Sequence, residues 1–351
     1  MTSLTLDKIT FQELININNN LYLPLKTFNS LNDFKSICSK MKLSNGKFFP
    51  IPVLHGISKL QKERIEKFNK IKLLYRKKKI GYLENFKVFS INKKIYLKSI
   101  YGTDDLSHPG IKYFLKNRNF FVSGKIKLSK QIKKKYSISK LRNKLKSYEN
   151  LTGYHTRNIP HKAHEWIIDY GLKKTGAILI NPMTGKLKKG DFKRSVVNKS
   201  FKILINSKFK NNKNIFYKDL LTYARYAGPR EALFHAIIRK NLGCTHFLVG
   251  RDHAGVGNFY KKYESQNLCL KYQKKLGIKI ISFKEPYYCK YCRKIINSNC
   301  KHKHLKNNKI LISGTDIREK IMLNKIISEK FLDREISKIL TKNSIRGFPN
   351  N

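Results

Sequence analysis

GPREALFHAIIRKNLGCTHFLVGRDHAGVG, residues 228–257, is the stretch from which the fold is read. Pro229 opens a helix, since a proline at the first helical position gives up only an N–H that the helix leaves unsatisfied anyway. Leu233, Phe234, Ile237 and Ile238 follow at core spacing, and Gly243 stands where a left-handed C-cap is wanted. Thr245–Val249 then reads as a short buried strand, and Gly250–Gly257 as a glycine-rich loop leaving its carboxyl end.

The same grammar extends in both directions. Upstream, a strand ending near Tyr154 runs into a loop. Pro160 opens a helix whose apolar face holds Ala163, Trp166, Ile167 and Tyr170; Gly171 and Gly176 bracket its end, and Ala177–Ile180 is the next strand. Downstream, Lys279–Phe283 is another strand after a basic helix. Strand–helix alternation of this kind predicts an α/β fold with a parallel, doubly wound sheet, whose ligands bind outside the carboxyl ends of the strands. Both chemically loaded loops, Tyr154–His164 and Gly250–Gly257, fall at such ends. The N-terminal part reads differently: Phe48–Leu54, Lys87–Ile91 and Lys94–Ile100 look like short strands broken by Asn, Gly and Pro, which predicts a compact, mostly β domain with a few helices. The expected divisions are 1–124 for that domain, 125–150 for a basic linker with one helix near Ile138–Leu145, 151–310 for the α/β domain, and 311–351 for a small α-rich C-terminal subdomain.

Composition narrows the function classes. In 351 residues, Lys+Arg 75 against Asp+Glu 22 leaves a net charge of +53, while 40% hydrophobic and 12% aromatic residues are ordinary for a chain with packed cores. Charged residues interrupt every apolar run well short of the roughly 18 residues that a membrane helix needs. Met1–Leu14 carries Asp7 and Glu13 and has no basic segment leading into an apolar one, so no secretory signal is expected. The positive excess is mostly Lys, spread through every segment, with denser runs at Arg76–Lys79 and from Lys125 to Lys146 around Lys133, Lys134 and Lys135. Dispersed Lys describes a solvated surface; a dedicated nucleic-acid face is the alternative reading.

Two loops carry the chemistry. In the first, His161 and His164 lie three apart at the opening of a helix, preceded by His155, Thr156, Arg157 and Asn158. Free backbone N–H groups and a partial positive charge make a helix start a natural phosphate site, to which Arg157 and Asn158 add a cation and an amide. A zinc pair or a plain surface pair would use the same two histidines. The second loop packs Gly250, Arg251, Asp252, His253, Ala254 and Gly255 behind a buried strand; glycines there let backbone N–H groups approach an anion. A third group, Cys289-x-x-Cys292 with Cys300 and His304, has the spacing of a structural zinc site, with His302 as a substitute for His304. Free thiols or a nucleic-acid zinc ribbon are the other readings. Six cysteines in a chain of this length suit a reducing, cytoplasmic setting better than a disulfide scaffold.

Taken together these motifs resemble the ATP sulfurylase family over nearly the whole chain. The family's Gln-Thr-Arg-Asn-Pro-x-His-x-x-His is answered by residues 155–164, its Arg-x-Ala-Gly-Pro-Arg-Glu-Ala by Arg225–Ala232, its Gly-Arg-Asp-His-Ala-Gly by Gly250–Gly255, and its Ile-Ser-Gly-Thr-x-Ile-Arg by Ile312–Arg318. Leu43–Leu54 and Thr103–Gly110, with Asp105 and His108-Pro109-Gly110, are similar too. The resemblance implies a PUA-like N-terminal domain before a Rossmann-like nucleotidyltransferase domain. It implies formation of adenosine 5′-phosphosulfate (APS) and pyrophosphate from ATP and sulfate, or the reverse, with Mg2+ accompanying ATP and a structural Zn2+ on the cysteine group.

By the same carry-over, Arg157 would hold sulfate with His155 and the backbone at Ala254, and Thr156, Asn158, His161 and His164 would grip the phosphates. Gly250, Arg251, Asp252 and His253 would line the nucleotide pocket, with Phe283 beside the phosphates and Pro286 near the adenine. A homodimer is expected, and neither a membrane nor a specific nucleic acid as partner. His155 stands where the family has Gln, Pro160 lies two residues beyond Asn158 rather than one, and Leu323–Ile327 replaces the family's Gly-x-x-Pro-Pro.

Overall fold

The structure is a computed structural model that describes residues 2–116, 119–185, 190–297, 300–323, 325 and 327–342. Of the expected C-terminal subdomain, residues 343–351 lie outside the described residues, as do 298 and 299 within the cysteine segment and 324 and 326 within Leu323–Ile327. The chain runs through β1 (Ser3–Thr5), α1 (Lys8–Asn18), α2 (Leu31–Lys40), β2 (Gly56–Ile57), α3 (Lys59–Ile65), β3 (Lys70–Tyr75), β4 (Lys78–Ser90), α4 (Lys93–Tyr101), α5 (Pro109–Leu115), β5 (Phe120–Leu128), α6 (Lys130–Lys135) and α7 (Ser139–Lys146). It continues with β6 (Thr152–Tyr154), α8 (Lys162–Thr175), β7 (Ile178–Ile180), α9 (Arg194–Lys208), β8 (Ile215–Tyr217), α10 (Gly228–Leu242), β9 (His246–Val249), α11 (Glu264–Lys271), α12 (Gln273–Leu276) and β10 (Lys279–Ser282). It ends with β11 (Tyr287–Cys289), β12 (Lys294–Ile296), β13 (Lys309–Leu311), α13 (Gly314–Met322) and α14 (Arg334–Lys342). Among the described residues no helix is long and apolar enough to cross a membrane.

Two compact units alternate along the chain. The first takes Met1–Ser147, Ala224–Gly243 and Asp252–Lys279; the second takes Tyr148–Tyr223, Cys244–Arg251 and Ile280–Asn351. The first unit holds a five-stranded sheet in the order β1-β3-β4-β5-β2, with β1–β3 parallel and the other pairs antiparallel. Arg76 and Lys77 both take positive φ between β3 and β4, as a two-residue hairpin turn requires. Lys94–Ile100, expected as a strand, lies in α4: the Asn92 side chain accepts from Ile95 N–H, Gly102 closes the helix in the left-handed region, and Tyr96, Leu97, Ile100 and Tyr101 share the buried face. Of Phe48–Leu54 only Phe48 pairs, in an isolated bridge with Lys42. Residues 125–150 carry the end of β5 and the helices α6 and α7, the latter where a helix near Ile138–Leu145 was expected.

The second unit is built on the sheet β10-β9-β6-β7-β8. Its β6–β7, β6–β9 and β7–β8 pairs are parallel, in the registers Thr152↔Ile178, Thr152↔His246 and Ile178↔Ile215. All three residues of β7 are buried, as a strand covered on both faces demands. The order places β7 and β8 to one side of the β6–β9 pair and β10 to the other. The crossovers therefore diverge at the carboxyl ends of β6 and β9, the switch point where open α/β sheets leave a crevice. The main apolar cluster of this unit runs from Ile168, Ile178 and Phe201 to Ile317, Ile321, Leu332 and Ile336, so α13 and α14 pack on the same core as the sheet.

Candidate active site

Within the second unit, the first loop leaves the carboxyl end of β6 and Gly250 and Arg251 leave that of β9. Tyr154 ends β6, and the next seven residues form the loop. Thr156 Oγ1 accepts from Asn158 N–H at 3.1 Å and the Thr156 carbonyl accepts from Met183 N–H at 2.9 Å, which fixes the loop backbone at both edges. Thr156 is thereby engaged in the turn itself. His155, Arg157 and Asn158 are half-buried beside it.

His161, not Pro160, caps α8, and its side chain makes no capping hydrogen bond. His161 is 5% exposed and its Nδ1 has no hydrogen-bond partner among the described residues. Such a buried polar atom costs free energy unless a ligand or water satisfies it. The His164 ring stacks on the His161 ring at 3.7 Å between centroids. His164 Nδ1 lies 3.1 Å from the Ile159 carbonyl; a carbonyl only accepts, so Nδ1 carries the hydrogen. Desolvation holds both imidazoles neutral. It lowers His164 to about 4 against the lift from Ile159, and it holds His161 well below the ordinary imidazole value with the help of His164. The first-turn carboxylate of α8, Glu165, is paired with Lys162 at 2.9 Å and Lys208 at 3.2 Å. The helix end is thus open to an anion.

Two further segments of this unit contribute. Gly250 packs against Phe283, where an added Cβ would stand 3.0 Å from the ring. Phe283 in turn faces Trp166 and Tyr170 of α8 at 6.3 and 6.2 Å. Arg251 pairs with Glu285 at 3.4 Å, and Pro286 is buried at the entry to β11. The Ile312–Arg318 element, noted in the sequence without residue roles, meets the first loop directly. Arg318 Nη1 donates to Asn158 Oδ1 at 2.8 Å, and Asp191 and Thr315 hold the same guanidinium. Arg318, Asp191 and Gly314 are the residues that local reading missed; the motif was the available signal.

In the first unit, Asp252, His253 and Ala254 form a tight turn. Ala254 has φ +59, its carbonyl accepts from Gly228 N–H at 3.1 Å, and a Cβ on Gly255 would overlap Asp252 Oδ1. His253 Nε2 lies 3.1 Å from His235 Nδ1, and His235 Nε2 lies 3.4 Å from Glu231. Burial pushes Glu231 up, but His235 and Arg225 outweigh it and hold the carboxylate at about 2; burial brings His235 down to about 4. Glu231 also accepts from the backbone N–H groups of Arg225 and Ala227, which anchors the start of α10.

The cysteine group sits on the antiparallel sheet β12-β11-β13. Cys289 and Cys300 Sγ are 3.5 Å apart, Cys292 and Cys300 3.6 Å, and His302 Nδ1 is 3.2 Å from Cys292 and 3.9 Å from the other two. Four tetrahedral ligands on a zinc at Zn–S distances of about 2.3 Å would place sulfurs about 3.8 Å apart, so the donor set fits a metal ion. The histidine is His302 and not His304, which is exposed. A turn closed by Lys303 N–H on the Cys300 carbonyl swings residue 302 back; Asn308 donates to the His302 carbonyl and Tyr291 stacks on its ring.

Comparisons with known proteins accord with this geometry. Residues 133–343 match the ATP-sulfurylase family and residues 1–131 the PUA-like domain. The sulfate adenylyltransferase of Ignicoccus hospitalis is 31% identical over 348 residues, 97% of this chain and 90% of that protein. Those of Carboxydothermus hydrogenoformans and Pyrococcus abyssi are each 32% identical, over 97% and 96% of this chain and 91% and 88% of theirs. Among solved structures, the hexameric APS kinase from Thiobacillus denitrificans has a TM-score of 0.72 at 15% identity. It covers 98% of this chain, which spans only 63% of that one, so the likeness speaks to fold alone. The two-part architecture expected from the sequence is borne out, and these comparisons lend nothing to a nucleic-acid-binding reading.

Proposed function

The chain belongs to the ATP-sulfurylase family, and we propose on that premise that it is a sulfate adenylyltransferase, joining sulfate to the α-phosphorus of ATP to give APS and pyrophosphate. The observation that carries the reading is the open start of α8: a buried, unsatisfied His161 Nδ1, a second neutral imidazole stacked on it, and a neighbouring carboxylate already paired with two lysines.

Sulfate carries no proton at neutral pH, so one of its oxygens attacks the α-phosphorus without a general base. The new S–O–P linkage forms as the bond from the α-phosphorus to the bridging oxygen breaks, and that electron pair leaves on pyrophosphate. The protein's part is to bring two anions into line and to meet the charge that grows on the leaving group. In this proposal Arg157 takes sulfate, with His155 and the left-handed Ala254 as further sulfate-binding residues. Thr156 holds the loop in shape. Asn158 donates to phosphate oxygens. His161 and His164 accept protons as phosphate oxygens approach, since a nearby anion raises an imidazole that desolvation had lowered. Gly250, Arg251, Asp252, His253, Phe283 and Pro286 are proposed for the nucleotide.

The first loop offers a guanidinium, an amide and imidazoles, a set suited to phosphate oxygens rather than to a bare hard cation. Mg2+ is therefore proposed to arrive on ATP, where it would neutralise phosphate charge. Zn2+ would be held by Cys289, Cys292, Cys300 and His302 and would pin a hairpin whose own apolar core is small. The cytoplasmic setting rests on the cysteine usage of the sequence, and the homodimer on the family resemblance.

The test is pyrophosphate release from ATP with and without sulfate. Release that depends on sulfate and yields APS is expected. A purified protein that releases none under either condition sinks the reading.

A further inference from the structure

We infer that Arg318 is a positioning residue that locks the Asn158 amide with its N–H groups turned toward the phosphates, an inference that rests on the sulfate adenylyltransferase reading. Arg318 Nη1 lies 2.8 Å from Asn158 Oδ1 and 3.4 Å from Asp191 Oδ1, and Nη2 lies 3.1 Å from Thr315 Oγ1. A guanidinium has donors and no acceptor, so the amide atom that faces it is the oxygen; the flipped amide would set N–H against N–H.

The Asn158 backbone is held by Thr156 Oγ1. What is left to specify is the sense of the amide, and that matters for an anion. One end of an amide donates to an oxyanion and the other repels it. Arg318 takes up the repelling end, leaving Nδ2 as the half available to phosphate. Gly314 completes the arrangement, because a Cβ there would stand 2.6 Å from Nδ2. Arg318 is itself fixed in a sparsely hydrated place: its side chain is 17% exposed and that of Asp191 2%. Its charge is thus engaged by Asp191, and its action on the substrate runs through Asn158.

The experiment is a double-mutant cycle read as kcat and KM for ATP. Arg318→Met is expected to lower kcat/KM about 10- to 100-fold, mainly through kcat, because the amide acts on charge that develops late. Arg318→Lys, which keeps a donor, is expected to recover most of the loss. In an Asn158→Ala background Arg318→Met should cost nothing further. Asn158→Asp, which leaves Arg318 intact, should be at least as impaired as Asn158→Ala, since it turns a charged oxygen toward phosphate.

Additive losses in the cycle, or Arg318→Met with wild-type kcat/KM, would overturn the inference. The wild-type assay separates the two claims: an active wild type with additive losses refutes only the lock, whereas a wild type with no sulfate-dependent turnover refutes the function. The lock has a readout independent of turnover. The Asn158 side-chain N–H resonances of 15N-labelled protein should shift on titration with ATP in the wild type and not in Arg318→Met. Equal shifts in both contradict it.

Discussion

His161 and His164 stack face to face at the start of α8, ring centroids 3.7 Å apart and planes 20° from parallel, and both are held neutral by burial. Their folded values lie below the ordinary 6.5, so between that value and about 4 the unfolded chain binds more protons than the folded one. Stability therefore rises with pH across this window: it is complete above 6.5 and lost as pH falls toward 4. His235, also lowered to about 4 by burial, acts with the same sign. A shift from 6.5 to about 4, as at His164 and His235, is worth of the order of 3 kcal/mol. The ligand-free protein is expected to lose thermal midpoint as pH falls from 6.5 toward 4, and ATP affinity to rise as pH falls over the same range while the phosphates draw protons onto the pair. Melting curves and ATP titrations across that range check both; profiles without slope would remove the pair from the site.

Gly314→Ala separates activity from stability. The first turn of a helix tolerates alanine well, so the fold should be unchanged or up to about 1 kcal/mol more stable. The new Cβ would nevertheless stand 2.6 Å from Asn158 Nδ2 and displace the amide. A clear loss of kcat with an unchanged or higher melting point is the expected pair of results, measured on one preparation.

The zinc proposed for this group should be lost from His302→Ala and kept by His304→Ala, because of the two histidines it is His302 that stands with the three thiols. Elemental analysis of the two variants decides it directly. Chelation of the wild type is expected to loosen the segment from Tyr287 to Leu311, seen as faster amide exchange there, while the parallel sheet keeps its protection.

What was legible in the sequence follows from where the deciding information lay. α8 and α10 each carry a proline near the start and a left-handed glycine at the end, Gly176 and Gly243, and each is followed by a short apolar run, β7 and β9. Such signals are local. Lys94–Ile100 reads as a strand on its short run of Ile95, Tyr96 and Leu97, residue types that suit a strand; Asn92 and Gly102, the caps on either side, make it a helix. His302 and His304 both suit a ligand spacing, and a turn stabilised by Asn308 chooses between them. Asn158 and Arg318 are 160 residues apart, and no spacing rule reaches that far.

The net charge of +53 also has an observable consequence. Lys residues spread over the surface repel one another at low ionic strength, so the melting point should rise with added salt. Any association with RNA or DNA should vanish by roughly 200 mM salt, as contacts without a shaped surface do. Binding retained above that concentration would reopen the nucleic-acid reading.

The most direct measurement runs the reaction backwards: ATP formed from APS and pyrophosphate, by the wild type and by Arg157→Ala. The account expects brisk ATP formation by the wild type and a loss of two orders of magnitude or more, about 3 kcal/mol of transition-state stabilisation, when the guanidinium is removed. Equal rates from the two proteins would contradict it.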